Sequence, residues 1–388
     1  MTATTPQNPN SRTALLLGGG GARAAYQVGV LRALSELLPK ECDNPFPIIC
    51  GTSAGSINTV ALASNASDFH AGVERISQVW SQFELNHVFF ADAKNLAKRI
   101  THWAWCNLGP GNWRNGPSSL LDNSPLRKLL TQYVDFNRID KAIENGHLHG
   151  YCITACSYTS GESKSFFDGC DEIENWKRNR REGIREKLNI DHLMASSAIP
   201  VIFPSVRLGK EHYGDGSMRQ SAPISPALHL GARKVLIIGL RIKEGDETPE
   251  PPQERPSLGQ IFGYILDTLF LNSLQSDIER MDRTNHVLEN HPEDNPAQLK
   301  TVEYQVVTPS EDIADIAQAH YDNLPRSFRT ALKFLGMGKS NSRRLVSYLM
   351  FDSAFCQQLM TLGYNDAMRQ KDTLSEFLGY ESDRNKEK

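Results

Sequence analysis

The sequence lacks the features that mark several specialised classes of protein. Its seven cysteines include no C-x-x-C pair, so their spacing indicates neither a disulfide framework nor a zinc site. No apolar run reaches the roughly 18 residues of a membrane span. Asp267 and Asn272 interrupt the most apolar stretch, IFGYILDTLFLNSL. The formal net charge is only −3, which points to no nucleic-acid partner.

The amino terminus also lacks a targeting signal. Residues 1–12, MTATTPQNPNSR, are polar and contain no apolar core of a signal peptide. Together with thiols that are not spaced for disulfides, this predicts a cytoplasmic protein with a disordered amino-terminal segment. We expect no metal and no cofactor. With 388 residues, of which 39% are hydrophobic, the chain is long enough to bury a large core.

Residues 13–64 are predicted to form a strand, a helix, a second strand and a second helix. The apolar run TALLL precedes four glycines, and a helical pattern then continues to Pro39. A parallel connection of this kind is the building block of a doubly wound α/β sheet. Further strands are predicted in YCITACSY (151–158), SKSFFD (163–168), RKVLIIGLRI (233–242) and TVEYQVVTP (301–309).

The stretch PIICGTSAGSINTVALAS places Ser53 between Gly51 and Gly55, where an apolar strand meets a helix. Glycine on both sides suits a sharp, strained turn with close helix packing. The side chain at the apex then lies at a helix N-terminus, which favours negative charge. The pattern predicts a nucleophile elbow with Ser53 as the nucleophile.

The glycine run GGGGAR (18–23) has two interpretations. Gly19, Gly21 and Ala24 fit the dinucleotide fingerprint G-x-G-x-x-A, with Glu41 or Asp43 near the distance of a ribose ligand. Alternatively, consecutive glycine amides form an oxyanion hole. The strand that would end in the ribose ligand ends in the serine elbow instead, and this favours the oxyanion hole.

A serine nucleophile needs a base, and KEHYGDGSMRQSAP offers Asp215 between two glycines. Asp-Gly is ordinarily a turn signal. Beside an elbow, however, the small neighbours would let the carboxylate approach Ser53, and an apolar crevice would raise its pKa toward that of a useful base. An ordinary triad is disfavoured, because the histidines that follow Asp215 lie in no recognisable site; they are His229, His286, His291 and His320.

GGGGAR, GTSAG and the Asp-Gly pair at 215–216, in this order, resemble the patatin-like phospholipases, as do SPLRKLL and MASSAIPVIFP. The resemblance covers roughly residues 13–240. Those enzymes are lipid acyl hydrolases with a serine–aspartate dyad. The resemblance therefore implies that Ser53 is the nucleophile and Asp215 the base. The implied oxyanion hole consists of the amides of Gly19, Gly20 and Gly21, with Arg23 beside them.

The resemblance also implies a three-layer fold, in which a mostly parallel central sheet is flanked by helices and a mainly helical C-terminal extension follows. We expect a catalytic domain over 13–244, a Pro- and Glu-rich linker over 245–257 and a helical region over 258–388 with one strand at 301–308. Within the catalytic domain, residues 83–121 are expected to form a helical insertion or lid. Its aromatic and basic residues are Phe83, Phe89, Phe90, Trp103, Trp105, Trp113, Lys94, Lys98 and Arg99.

The expected partner is a lipid substrate, with peripheral contact to a membrane surface. The apolar stripe from Leu258 to Leu274 is typical of a core helix, and the alternative is a lipid-facing surface. The basic run at 176–187 is typical of a solvated face. No pattern predicts an oligomeric state. Two other functions stay open: a dinucleotide-binding protein, and a scaffold that has kept the fold and lost activity.

Overall fold

A computed structural model describes residues 12–42, 44–108, 119–242, 255–291, 299–334, 337–338 and 342–380. Several sequence predictions lie wholly or mostly outside these residues. They are the disordered amino terminus, Asp43 as a ribose ligand, Trp113 with its surrounding loop, and most of the linker at 245–257.

A ten-stranded mixed sheet forms the centre of the molecule, in the order β10-β9-β1-β2-β3-β4-β6-β5. Strand β8 pairs with β3, and β7 pairs with β8. The strands are β1 Thr13–Leu17, β2 Ile48–Thr52, β3 Gly150–Ser157, β4 Ser163–Gly169, β5 Trp176–Arg178, β6 Arg181–Arg185, β7 Val206–Leu208, β8 Glu211–Asp215, β9 Lys234–Ile238 and β10 Glu303–Val307. The run from β10 to β3 is entirely parallel.

Helices cover both faces of this sheet. They are α1 Ala25–Leu37, α2 Ala54–Ala63, α3 Phe69–Ser81, α4 Leu85–Val88, α5 Ala93–Leu108, α6 Ser124–Tyr133, α7 Phe136–Glu144, α8 Ile190–Ser196, α9 Ser225–His229, α10 Leu258–Asn290, α11 Ile313–Ala319, α12 Arg326–Phe334, α13 Arg343–Leu349, α14 Ser353–Arg369 and α15 Lys371–Leu378. Within the described ranges, no helix is both long enough and apolar enough to cross a bilayer.

The layered arrangement follows from the alternation of side chains along the buried strands. In β1, Leu15 and Leu17 enter one hydrophobic cluster, whereas Ala14 and Leu16 enter another. Successive residues of a strand point to opposite faces, so a strand that is apolar throughout needs cover on both sides. The predicted fold class, a mostly parallel sheet between helical layers with a helical C-terminal region, is confirmed.

The C-terminal helices pack directly on the first helix of the chain. A Cβ on Gly363 of α14 would overlap the carbonyl oxygen of Tyr26, and a Cβ on Gly29 of α1 would overlap that of Met360. Glycine at both positions lets the two backbones come into contact. Phe355 and the rest of this face join the same hydrophobic cluster as Leu15, and β10 extends the sheet beside β9.

Two segments predicted from the sequence can be compared in detail with the structure, and the basic residues of the first are exposed or half-buried, as on a solvated face. The basic run at 176–187 forms the hairpin of β5 and β6, in which Gly183 packs against the ring of Trp176. In the aromatic segment, Phe83 and Phe89 are buried in the core, whereas Trp105 is 63% exposed. The aromatic residues of this segment therefore divide between core and surface.

The contact between α1 and α14 predicts the effect of one methyl group. Gly363→Ala should lower the free energy of unfolding by about 1–3 kcal/mol, because the helices must separate, although alanine is intrinsically the better helix former. Urea denaturation measures this change. Gly338→Ala is the control, since a Cβ there has nothing within 4 Å. Equal stability of both variants and the wild type would contradict the close contact.

Candidate active site

Ser53 occupies a sharp corner between β2 and α2. Its backbone has φ 54 and ψ −128, a positive φ that is unusual for a residue with a side chain. A Cβ on Gly51 would lie 2.5 Å from the carbonyl oxygen of Gly55. A Cβ on Gly55 would overlap the carbonyl oxygen of Leu17. The corner therefore requires glycine on both sides, and it has the geometry of a nucleophile elbow.

The Ser53 hydroxyl donates a hydrogen bond to Asp215, with 2.6 Å between Oγ and Oδ2. Asp215 ends β8 and is fully buried. Its other carboxylate oxygen accepts a hydrogen bond of 3.0 Å from the amide of Ser217. Residues 162 positions apart in sequence thus form one buried pair.

The glycines beside Asp215 allow close contact with the neighbouring strand. A Cβ on Gly216 would overlap the carbonyl oxygen of Thr154, and one on Gly214 would lie 2.5 Å from the hydroxyl of Tyr158. The sequence suggested that these glycines would let the carboxylate approach Ser53. In the structure they let β8 lie close to β3 and its following turn, and the pairing with β3 then places the carboxylate.

Burial sets the acidity of Asp215. Removal from water raises its pKa to about 6, and the hydrogen bonds from Ser53 and Ser217 act in the opposite direction. The carboxylate is therefore the main form at neutral pH, and its pKa is closer to neutrality than that of an exposed aspartate, about 3.9. Such a group can accept a proton at neutral pH at lower cost than an exposed carboxylate.

The end of α8 and the residues that follow it hydrogen-bond to both members of the pair. The hydroxyl of Ser196 accepts a hydrogen bond of 2.9 Å from the Ser53 amide and donates one of 2.7 Å to the carbonyl oxygen of Thr154. Two residues later, the carbonyl oxygen of Ala198 accepts from the Asp215 amide at 2.9 Å. Sequence reasoning did not assign Ser196, although the stretch MASSAIPVIFP contains it.

The glycine loop lies against the elbow. A Cβ on Gly19 would be 2.9 Å from the Cβ of Ser53, and Gly21 has φ +54 with the carbonyl oxygen of Tyr348 directly above it. Among the hydrogen bonds of the described backbone, none is donated by the amide of Gly19 or Gly20. The expected juxtaposition of loop and serine is therefore present, with amide donors available beside the hydroxyl.

Arg23 faces away from the serine. Its guanidinium donates to Ser347 at 2.8 Å and to Asp267 at 3.1 Å, and it stacks on the ring of Tyr348 with 4.0 Å to the centroid. The side chain is 3% exposed. Arg23 therefore connects the glycine loop to α10 and α13, and its charge is neutralised there.

The histidines lie elsewhere. His229 stacks on Trp176 with 4.7 Å between ring centroids, and burial lowers its pKa to about 4. His320 bonds to Gln358. Across the described ranges, the hydrogen-bond partners of the Ser53 and Asp215 side chains include no histidine.

The model of the patatin-like phospholipase family matches residues 15–228. The chain belongs to this family. A curated relative, the cGAMP-activated phospholipase of Pseudomonas aeruginosa, is 25% identical over 216 residues, which are 55% of each chain. Patatin-like phospholipase domain-containing protein 7 of Rattus norvegicus is 50% identical over 54 residues, 14% of this chain and 4% of the relative. The chain thus spans about half, or far less, of the length of these relatives.

Among solved structures, the human GIVD cytosolic phospholipase A2 matches with a TM-score of 0.43 and 12% identity. The match covers 96% of this chain and 60% of that chain.

The position of Glu41 argues against the dinucleotide alternative. Glu41 is exposed and precedes β2, whereas the carboxyl end of β2 is followed by Ser53. The second acidic residue considered there, Asp43, lies outside the described residues.

Two cavities flank the elbow of this patatin-like chain. The first, of about 70 Å³, is narrow and apolar and has Ser53 in its wall. Helices α2, α3 and α6 supply most of its other lining, including Ile57, Ile76, Trp80, Leu126 and Leu130. The second, of about 510 Å³, lies between α10 and the sheet, beside Gly19 and Ser217. No cluster of His, Cys, Asp and Glu suited to a metal ion occurs in the described part of the chain.

The hydrogen bonds of Ser196, at the end of α8, predict unequal effects of two adjacent serines. Ser196→Ala should lower the free energy of unfolding by about 1–3 kcal/mol, because the buried Ser53 amide and Thr154 carbonyl lose their partner. Ser197→Ala is the matched control, since its buried hydroxyl has no hydrogen-bond partner among the described residues. Chemical denaturation compares them. A loss for Ser197→Ala as large as for Ser196→Ala would contradict the assignment.

Proposed function

We propose that this protein is a serine lipid acyl hydrolase, of phospholipase A or lysophospholipase type, that uses a Ser53–Asp215 dyad. The observation that carries the proposal is the 2.6 Å hydrogen bond from the Ser53 hydroxyl to a buried carboxylate. It is made at a strained elbow beside glycine amides that donate no bond within the described backbone. Membership of the family implies a lipid hydrolase. The relative from Pseudomonas is itself named a phospholipase, which supports a phospholipid substrate.

The reaction follows from the positions of these groups. Ser53 Oγ attacks the ester carbonyl carbon while its proton passes to Asp215 Oδ2. The tetrahedral intermediate collapses to an acyl-enzyme, and the leaving alcohol takes the proton from Asp215. Water then attacks the acyl-enzyme, with the carboxylate again accepting and returning a proton. Splitting the hydrolysis in this way replaces one difficult step by two easier ones.

The negative charge of each intermediate forms on the former carbonyl oxygen. We assign its stabilisation to the amides of Gly19, Gly20 and Gly21. A preorganised amide donor of this kind contributes about 2.7–4 kcal/mol to lowering the barrier. Because the guanidinium of Arg23 is paired with Asp267, we assign Arg23 to anchoring the loop.

The cavity at Ser53 suits the first part of an acyl chain chemically, since its accessible surface is mostly apolar, and a longer chain requires the cavity to widen. Access from a bilayer is supported by α10, where Ile261, Tyr264 and Ile265 are 42%, 64% and 44% exposed on one helix face. Farther along α10, Leu266 and Phe270 are buried. We therefore propose that the enzyme contacts membranes peripherally through this face of α10. We also propose that it is cytoplasmic, with a catalytic domain at 13–244 and a helical region at 258–388.

The test is covalent labelling combined with replacement of single residues. A fluorophosphonate should label Ser53. Ser53→Ala and Asp215→Asn should each reduce hydrolysis of a short-chain ester by roughly 10³-fold or more, because members of one catalytic unit fail together. Lipid substrates of varied headgroup then define the specificity.

The controls are single replacements by Gln of His212, His229, His286, His291 and His320. Each should retain activity within a few-fold, with circular dichroism confirming the fold. One folded histidine variant as inactive as Ser53→Ala would refute the dyad. Folded wild-type protein that is neither labelled nor active on any ester would refute the hydrolase.

The acidity of Asp215 predicts the pH dependence. Because the base must be ionised and burial raises its pKa to about 6, kcat/KM should rise with pH through about 6 and then level off. Steady-state rates between pH 4.5 and about 8.5 measure this. The control is Glu211→Gln, which removes a carboxylate from the start of the same strand and should leave the rise of kcat/KM at the same pH. Loss of that rise in Glu211→Gln would contradict the assignment to Asp215.

A further inference from the structure

A buried chain of hydrogen bonds connects the wall of the apolar cavity to the glycine loop. The indole of Trp80 donates to Asn58 Oδ1 at 2.9 Å. The amide of Asn58 donates to Gln27 Oε1 at 2.9 Å, and that of Gln27 donates to the carbonyl oxygen of Gly18 at 2.8 Å. Gln27 and Asn58 are fully buried and Trp80 is 3% exposed, so the bonds among these three side chains are shielded from water, whereas Gly18 is half-buried.

The direction of this chain is determined by its two ends. An indole N–H can only donate, and a backbone carbonyl oxygen can only accept. The amides of Asn58 and Gln27 between them must therefore both accept on the side of Trp80 and donate on the side of Gly18. The Asn58 amide nitrogen also donates to the carbonyl oxygen of Ala24 at 3.3 Å, and the indole is the donor to its oxygen.

The last bond sets the direction of an amide in the oxyanion loop. The carbonyl of Gly18 and the N–H of Gly19 belong to one planar trans peptide and point in opposite directions. A Cβ on Gly18 would have nothing within 4 Å, although the carbonyl oxygen of Gly18 lies beside Gly55. Glycine adds conformational freedom on both sides. The Gln27 amide thus supplies a constraint on where the Gly19 N–H points.

The other end of the chain meets the substrate cavity. The ring of Trp80 lines the cavity that contains Ser53, and it stacks on Phe83 with 5.0 Å between centroids. An acyl chain that fills the cavity packs against this ring. It thereby limits the motion of the indole N–H that donates to Asn58.

We propose that Trp80, Asn58 and Gln27 are positioning residues that couple occupation of the apolar cavity to the orientation of the Gly19 amide. This inference rests on the proposed hydrolase function. It makes acyl-chain length a determinant of kcat, and not only of KM. An acyl chain long enough to contact Trp80 orders the oxyanion loop. Binding energy from a remote part of the substrate is then used at the reacting carbonyl.

Two variants interrupt this series of hydrogen bonds at different points. Trp80→Phe keeps an aromatic ring in the cavity and removes the donor, and Gln27→Met removes the donor to Gly18 without lining the cavity. Their controls are Trp176→Phe, which alters a tryptophan stacked on Phe167, and Asn44→Leu, which removes a buried amide that donates to Phe46. The substrates are nitrophenyl esters of increasing acyl length.

For the wild type, kcat should rise with acyl length. In both broken variants this rise should disappear, with kcat on the long ester about tenfold or more below wild type and KM within about twofold. That loss is smaller than the ~10²–10³-fold cost of deleting a donor. The controls should retain the rise. If either folded variant keeps the same rise of kcat with acyl length as the wild type, the proposed coupling is overturned.

A second measurement does not depend on turnover. In protein labelled with ¹⁵N-glycine, the amide resonance of Gly19 should shift in Trp80→Phe and Gln27→Met but not in the controls. An unchanged resonance in both variants overturns the proposal. If the wild type hydrolyses no ester, the hydrolase function fails. The Gly19 amide resonance then decides by itself whether the hydrogen bonds from Trp80 to Gly18 orient the loop.

Discussion

The hydrogen bond between Ser53 and Asp215 depends on the register of three strands. Thr52, at the end of β2, pairs with Thr154 of β3, and the next residue, Ala155, pairs with Asp215 of β8. The elbow and the carboxylate are therefore set by adjacent positions on one buried strand. A slip of one residue would turn the Asp215 side chain to the other face of the sheet. The hydrogen bond from Ser196 to Thr154 attaches to the same place.

The fold could be predicted from the sequence because its signals are local. Apolar strands followed by glycine and a helical pattern define β1, β2 and their helices, and the four additional strand predictions coincide with β3, β4, β9 and β10. Ser53 and Asp215 could be named because both stand beside glycines that close packing requires. Their catalytic role stays a proposal, while their contact is a feature of the structure.

What the sequence did not reveal depends on residues far apart in the chain. Arg23 adjoins the glycine loop in sequence, but its partners Asp267 and Ser347 come from helices more than 240 residues away. Ser196 has no pattern of its own, since its role needs both Thr154 and the Ser53 amide. The family match ends at residue 228, yet Tyr348 of α13 closes over Gly21. The C-terminal helices thus help to shape the loop beside the serine.

The raised pKa of Asp215 also links the site to folding. A carboxyl whose pKa is higher in the folded chain than in the unfolded chain binds protons preferentially in the folded state. Its contribution therefore opposes folding at neutral pH and disappears as pH falls from about 6 toward about 4. In that interval the carboxylate of Asp215 is neutralised and ceases to destabilise the fold. Mild acid therefore removes the negative charge beside Ser53 without a loss of stability from this residue.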